Sequence, residues 1–549
     1  MNRRKTSDPN KRLAFALSMT MALILFGGCS PLEQISKEKP SYYSGEIQNL
    51  SEESITIAVD TEQKRKMLAG VSEENTLQKN KEPSSGQNMT FAIEEDQKTV
   101  SSKLHYLEKG DLVTILSNDG KTAASIEKEP EKNPLSWESE GQGETTSSTH
   151  PLKGALVIKE ETKKLDQKTI VSDQKDQNAV VVSNQGSLTF QNGVIRKSND
   201  TAHPKDNSAF GYNAASAVAD GSTLSVNSTK IRTNGLGATG LFSTGDNTSL
   251  SVTGTTIHTK KKDSSGLRAV SSSNITAENT KITTEGDSSA SLSADKGTIS
   301  LTSSALSSSG KNSPCIQSSG TILARQSTGR SPLSPLAVIQ GKNSITLEDC
   351  DLSGGGDYGI LLYQEDSNQE ETETATFYAA NSTLQTSSAN EMFHITNTTA
   401  EINLKNTNLQ FPSGMLINCT GDTSHGWGNP GSNGGDLQFN GTSQTLTGDI
   451  FCDSISRVFL SLVEKSYYKG TINQDGIGGY VSLCLDKDSK WEVTGDSYLN
   501  VLTNDDHSFQ NIISNGHTVY YDSTNPANNW LNGRNISLPG KGILKPYES

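Results

Sequence analysis

What this sequence offers for chemistry is sparse and scattered: six cysteines, eight histidines and a few grouped carboxylates. Glu348, Asp349 and Asp351 crowd one short segment, and oxygen donors at that density suit calcium. Consecutive solvated acids are commoner than ion sites, so the same three residues also read as plain surface. Trp427 stands in a Gly/Asn loop, His425-Gly426-Trp427-Gly428-Asn429-Pro430-Gly431, followed by Ser432 and Asn433. An indole there can stack on a sugar ring, with Asn429 and Asn433 supplying amides, or it can cap the edge of a coil. Trp491 occupies an inward strand position and reads as core. The histidines stand singly, and no Ser/His/Asp arrangement is legible. Five cysteines (Cys315, Cys350, Cys419, Cys452 and Cys484) form no CxxC and no Cys/His cluster at metal spacing, so small buried thiols are the expectation. A pair on neighbouring coils could form a disulfide, a choice the sequence leaves open.

These residues must be positioned by a repeat. Between Gly186 and Leu409 an apolar triplet at i, i+2 and i+7 returns eight times, from Leu188/Phe190/Ile195 through Leu250/Val252/Ile257 to Ile402/Leu404/Leu409. Self-similarity with a period of about 20–50 residues marks a solenoid. The first two positions alternate as a strand with one buried face does, so Ser251 between Leu250 and Val252 points outward. The gap before the third position carries a turn former each time: Asn192, Ser228, Gly254, Asn279, Ser303, Asp349, Asn381 and Asn406. Asn and Gly accept a left-handed backbone, and stacked amides at this corner would form a ladder. A third strand precedes most triplets, as at Gly240-Leu241-Phe242 and Gly359-Ile360-Leu361-Leu362. The fold class expected is all-β, a parallel β-helix over 153–528 with about 13 coils, roughly 60–65 Å long at ~4.8 Å per coil. A β-sandwich seldom repeats one triplet and one corner residue this often. The two long intervals, 188 to 224 and 299 to 345, imply loops over 198–211 and 313–335 that leave the stack, and 364–374 is an acidic third protrusion.

Composition agrees with a thin column: 32% of residues are hydrophobic and 6% aromatic, low for a thick-cored globular enzyme. The net charge of −14 argues against nucleic acid as a partner.

At the start, Arg3, Arg4, Lys5, Lys11 and Arg12 precede an uncharged stretch ending Leu25-Phe26-Gly27-Gly28-Cys29. This end resembles the lipobox of bacterial lipoproteins, with Phe26 where Leu is usual. The resemblance implies that 1–29 is a signal peptide, with cleavage before Cys29, lipidation of its sulfur, and attachment to the cell membrane on the extracytoplasmic face. Residues 30–41 read as a tether. Strand-like pieces in 42–130, with a charged insertion over 62–87, suggest a small OB-like β-barrel serving as a spacer. Residues 131–152 are too polar to bury a core and read as a disordered linker. Residues 529–549 are expected to cap the stack.

Past Leu409 the pattern shifts to Leu446-Thr447-Gly448-Asp449-Ile450, Tyr468-Lys469-Gly470-Thr471-Ile472 and Trp491-Glu492-Val493-Thr494-Gly495-Asp496. This block, about 432–520, resembles bacterial surface proteins with adhesin-like, pectin-lyase-like right-handed β-helices. The resemblance implies extracellular placement and a role in contact or carbohydrate binding. Enzymes on such helices need more than is here. Asp505-Asp506 and His517 lack the further aspartate and basic pair of a hydrolase. Arg330-Ser331-Pro332 lacks the second Arg of a lyase. The expectation is adhesion or polysaccharide binding through Ser/Thr/Asn-lined sheets, without a cofactor unless calcium takes part. The alternatives are a calcium-dependent polysaccharide lyase or hydrolase, and a passive surface stalk.

Overall fold

The computed structural model describes residues 41–51, 54–59, 88–93, 109, 112–117, 121–123, 125–128, 151–365 and 374–548. Cys29, the tether before Ser41, the 62–87 insertion, linker residues 131–150 and the acids of 366–373 lie outside the described residues. The chain divides into two compact units.

The first unit is an antiparallel sheet of β1 (Ser41–Leu50), β2 (Ser54–Val59), β3 (Asn88–Ala92), β4 (Leu112–Ser117) and β5 (Ser125–Lys128), in the order β3-β2-β1-β4-β5. Ile55 and Ile57, like Val113 and Ile115, alternate inward and are fully buried with Ile47 and Phe91. The outer strand β3 also meets the segment before β5: Ala92 pairs with Thr122 in parallel, and Ala92 N–H donates to Lys121 O at 2.8 Å.

The second unit is a parallel β-solenoid of about 15 turns. Three strand stacks run along it. Sheet I starts at Gly154–Lys159, sheet II at Thr162–Asp166 and sheet III at Thr169–Ser172. Inward side chains stack in register, with Leu224, Leu250, Ile275, Ile299, Ile322, Ile345, Phe377, Ile402 and Phe439 each one turn above the last. All are buried in one continuous core. Stacking supplies what a single turn lacks, because each turn buries its apolar side chains only against its neighbours.

The turn count exceeds the thirteen expected. The interval 313–335 does not leave the stack; it holds a complete turn, Ile316–Arg325 and Thr328–Ser331. Its triplet is Ile322, Ala324 and Gly329, and the third position carries no side chain to see. A Cβ at Gly329 would lie 2.7 Å from Leu352 and 3.0 Å from Cys315 Sγ, so neighbouring side chains already fill that space. The 198–211 interval does leave the stack, and folds as α1 (Pro204–Phe210), ended by Gly211 at φ 68°. At the far end, Asn528 and Trp530 of the 3-10 turn Pro526–Leu531 take up the backbone of Leu502. Asn528 Oδ1 accepts its N–H at 3.1 Å, and Trp530 Nε1 donates to its carbonyl at 3.2 Å.

The II–III corner behaves as the turn formers require. All eight corner residues are left-handed, with φ between 46° and 58°, and the overlooked turn adds Gln326 at 48°. The ladder is built one residue later than expected. Asn406 does donate to Asn381 Oδ1 at 3.0 Å, but the repeating bonds come from the following buried hydroxyl. Thr229 N–H donates to Thr255 Oγ1 (3.3 Å), Thr280 N–H to Ser304 Oγ (3.0 Å) and Ser304 N–H to Ser327 Oγ (3.1 Å). Each of these hydroxyls donates in turn to a local carbonyl, as Ser304 does to Thr302 O at 2.7 Å. Cys350 N–H meets Ser382 Oγ, and further on Ser466 N–H meets Ser489 Oγ, both at 3.0 Å. The III–I corner has a second ladder through Ser264, Ser289, Ser313 and Ser334.

One inward position breaks the pattern. Ser172, Thr233, Thr259 and Thr284 stack at the end of sheet III, and between the first two stands Lys197, 1% exposed. Its Nζ donates to Gln174 O at 2.8 Å and to the Ser198 and Asn199 carbonyls, closing the corner where the α1 insertion begins. Burial pushes its pKa down to about 8, against the opposing pull of Asp176, Asp173 and Asp200.

Replacing Ser304 with Ala strands the buried Thr280 N–H and is expected to cost about 1–3 kcal/mol, read as a lowered urea midpoint, while Ser304→Thr retains most of it. For Lys197 the unfolded chain binds more protons between pH 8 and 10.5, because the folded pKa is the lower one. The stability of wild type minus that of Lys197→Met should therefore rise across that window and be flat below it; a flat difference throughout would contradict the assignment.

Candidate ligand-binding groove

Parallel pairing fixes which outward residues of sheet II stand in line. One column runs Thr223, Ser249, Asn274, Thr298, Thr321, Ser344, Thr376, Glu401, Gln438 and Phe459. Beside it, Thr346, Tyr378, Asn403 and Asn440 form part of a second. Two shallow depressions follow this face where it turns away from sheet I, and both are lined by Thr374. The first, about 250 Å3, is lined by the hydroxyls of Thr298, Thr321, Ser344 and Thr376 between Lys296 and Lys342. The second, about 360 Å3, is lined by Thr399, Glu401, Asp436, Gln438 and Phe459.

The second depression has the more developed chemistry. Asn403 Nδ2 donates to Glu401 Oε1 at 3.1 Å, Asn440 Nδ2 to Asn403 Oδ1 at 2.9 Å, and Gln438 Nε2 to Asn440 Oδ1 at 2.8 Å. These four side chains hold one another in place while staying half-buried, so their remaining donor and acceptor positions face solvent preset. Phe459 flanks them, its ring 5.2 Å from that of Tyr480. At the rim Arg457 pairs with Asp436. Oriented amides and a carboxylate next to an aromatic ring suit hydroxyl-bearing rings, which present hydrogen-bonding edges and apolar faces together.

The residues that stood out in the sequence lie elsewhere. Glu348 is engaged by Arg325 Nε at 2.6 Å, Asp349 is a corner residue at φ 53°, and Asp351 is exposed on the next strand. Among the described residues no three His, Cys, Asp or Glu side chains come together to hold a metal. Trp427 is 4% exposed, against Tyr363 and His425 with ring centroids 4.2 Å away in each case. It packs its loop onto the outer surface of sheet I beside Val338 and Leu361, which is the capping role and not an open platform. Asp422 organises that loop, accepting the N–H groups of His425 and Trp427 at 2.9 and 3.0 Å and His425 Nδ1 at 2.7 Å. Burial pushes the Asp422 carboxyl up, but the hydrogen bonds and charge of His425 and the two backbone donors carry it below its ordinary value. Asn433 is buried and spends its amide on Asp422 O (2.6 Å) and Trp427 O (2.7 Å), whereas Asn429 is exposed. Trp491 is core, as expected. Cys315, Cys350, Cys419 and Cys452 are buried free thiols, and Cys484 is an exposed one. Cys419 and Cys452 are in register on adjacent turns.

Glu401, Asn403, Gln438 and Asn440 escaped sequence reading because 37 residues separate positions that pair directly. Their only trace is the repeated acid-or-amide–x–Asn at outward positions, Glu401-x-Asn403 and Gln438-x-Asn440. Among the described residues no helix is long and apolar enough to cross a membrane. Compared with known protein families and with curated proteins, the chain matches none.

Asp422→Ala should release the loop and expose Trp427, read as increased acrylamide quenching of tryptophan emission, with the urea midpoint of the solenoid little changed.

Proposed function

We propose that this protein binds polysaccharide along sheet II, as an adhesive surface module and not as an enzyme. The observation that carries the reading is the interlocked set Glu401, Asn403, Asn440 and Gln438, of which Glu401 and Gln438 line an open depression together with Phe459. A long chain of sugars can lie along a row of Ser and Thr hydroxyls that continues for many turns, and it needs no deep cavity. The groove holds no cluster of acids suited to a cation, so glycan binding is proposed to be independent of calcium.

The wider placement is part of the same proposal. Cys29 is the lipidated residue, and the mature chain is held at the extracytoplasmic face of a membrane. The solenoid is a right-handed β-helix of the adhesin-like kind, a hand favoured because right-twisted strands joined by parallel crossovers close that way. The first unit is an OB-like barrel acting as a spacer. Its strand order, with β3 meeting the β5 segment in parallel, supports that reading.

A glycan array with and without EDTA tests the function. Binding is expected to persist in EDTA, and Gln438→Ala or Phe459→Ala should each weaken it roughly tenfold, the value of one hydrogen bond or one ring contact. Formation of unsaturated product from polygalacturonate would replace this reading with a lyase, and the absence of any glycan binding would replace it with a passive stalk.

A further inference from the structure

The net charge of −14 hides a local reversal on sheet III. Over four consecutive turns its strands are Val194–Ser198, Lys230–Asn234, Thr256–Thr259 and Lys281–Thr284, and none contains an acidic residue. Their register places Arg196, Arg232 and His258 in one outward row along the solenoid axis, and Lys230, Thr256 and Lys281 in a second. Arg196, Lys230, Arg232 and Lys281 are all exposed. Neighbouring turns are about 4.8 Å apart and the two rows about 7 Å apart, so four permanent cations share a strip about 14 Å long. Glu285, just past the strand Lys281–Thr284, is bonded to His258 at 2.6 Å, while Asp173 and Asp200 lie by Lys197 at the other end of the strip.

The strip is specific to one face. Over the same turns sheet II reads Ser187–Gln191, Thr223–Asn227, Ser249–Thr253 and Asn274–Glu278, without a single Lys or Arg. Acidic groups farther than about 8–10 Å from the strip act on it weakly at physiological salt. Two arginines one turn apart offer planar forks suited to tetrahedral oxyanions, and the lysines add mobile point charges beside them. The cations follow the axis in rows, which suits an extended polymer. In the three strands from Lys230 to Thr284 the outward residues are Lys, Arg, Asn, Thr and His, with no apolar side chain to enter a lipid layer.

We infer that sheet III, over these four turns, is a second binding face that takes a linear polyanionic glycan or polyol polymer bearing sulfate or phosphodiester groups. It is separate from the candidate groove on sheet II and does not depend on it. The two oxyanion sources are distinguished by using heparin for sulfate and a poly(glycerol phosphate) for phosphodiester. The full chain should bind at least one of them at about 50 mM salt and release it by about 500 mM, as screening requires. Arg196→Glu together with Arg232→Glu should weaken that binding roughly tenfold or more, given the usual worth of exposed charge contacts. Lys230→Ala with Lys281→Ala should weaken it less, and Gln438→Ala should leave it unchanged. Urea midpoints of the Arg196/Arg232 and Lys230/Lys281 variants should match wild type, since those four side chains are exposed. Failure of the wild-type chain to bind either polymer, equal binding by the double Glu variant, or capture only by vesicles of anionic phospholipid would each overturn the inference.

Discussion

A thin β-solenoid must turn its backbone three times per coil, and at the II–III and III–I corners N–H groups face inward with no strand partner. An unsatisfied buried amide costs as much as a well-made hydrogen bond contributes, so a column of about 15 turns could not tolerate one at every corner. The hydroxyls of Thr255, Ser304, Ser327, Ser382 and Ser489 answer this constraint. Each accepts an amide from the turn before it, and Thr255, Ser304, Ser327 and Ser382 also donate to a carbonyl of their own turn. The ladder therefore ties turns together at places where sheet pairing cannot. It also explains why Ser and Thr are abundant inside a structure whose core is otherwise aliphatic.

With stacking and corners satisfied internally, the outward positions are released from structural duty. The three faces have used that freedom differently. Sheet II carries hydroxyls and amides, sheet III carries a basic strip, and sheet I is overlaid twice. The α1 insertion covers one stretch, with Arg268 Nε donating to Ser208 O at 2.7 Å, and the Trp427 loop covers another. One scaffold thus presents chemically distinct surfaces without altering its interior.

Periodicity made the scaffold legible. The i, i+2, i+7 triplet and the left-handed corner residue report local geometry, so they survive in one dimension and place nearly every turn. The exception, the turn at Ile322 and Gly329, was hidden because its third inward position is filled by Cys315 from the start of the same turn and Leu352 from the next. The candidate groove was not legible for a related reason. Its side chains meet across turns of unequal length, and the 420–435 loop shifts the count between Glu401 and Gln438. Conspicuous local residues answer to the fold instead. Asp349 is acidic at a corner that asks only for a left-handed backbone, and Trp427 is aromatic because its loop needs an anchor.

The equivalence of successive turns has a further consequence for anything held on sheet II. Moving a bound chain by one turn between Thr223 and Thr376 exchanges one hydroxyl or amide for another, so neighbouring placements are nearly equal in energy and the chain can creep without letting go. At Glu401 the column changes from neutral to acidic, and at Phe459 it becomes aromatic. Creep would stop there, which makes the groove directional: a rail with a buffer at one end.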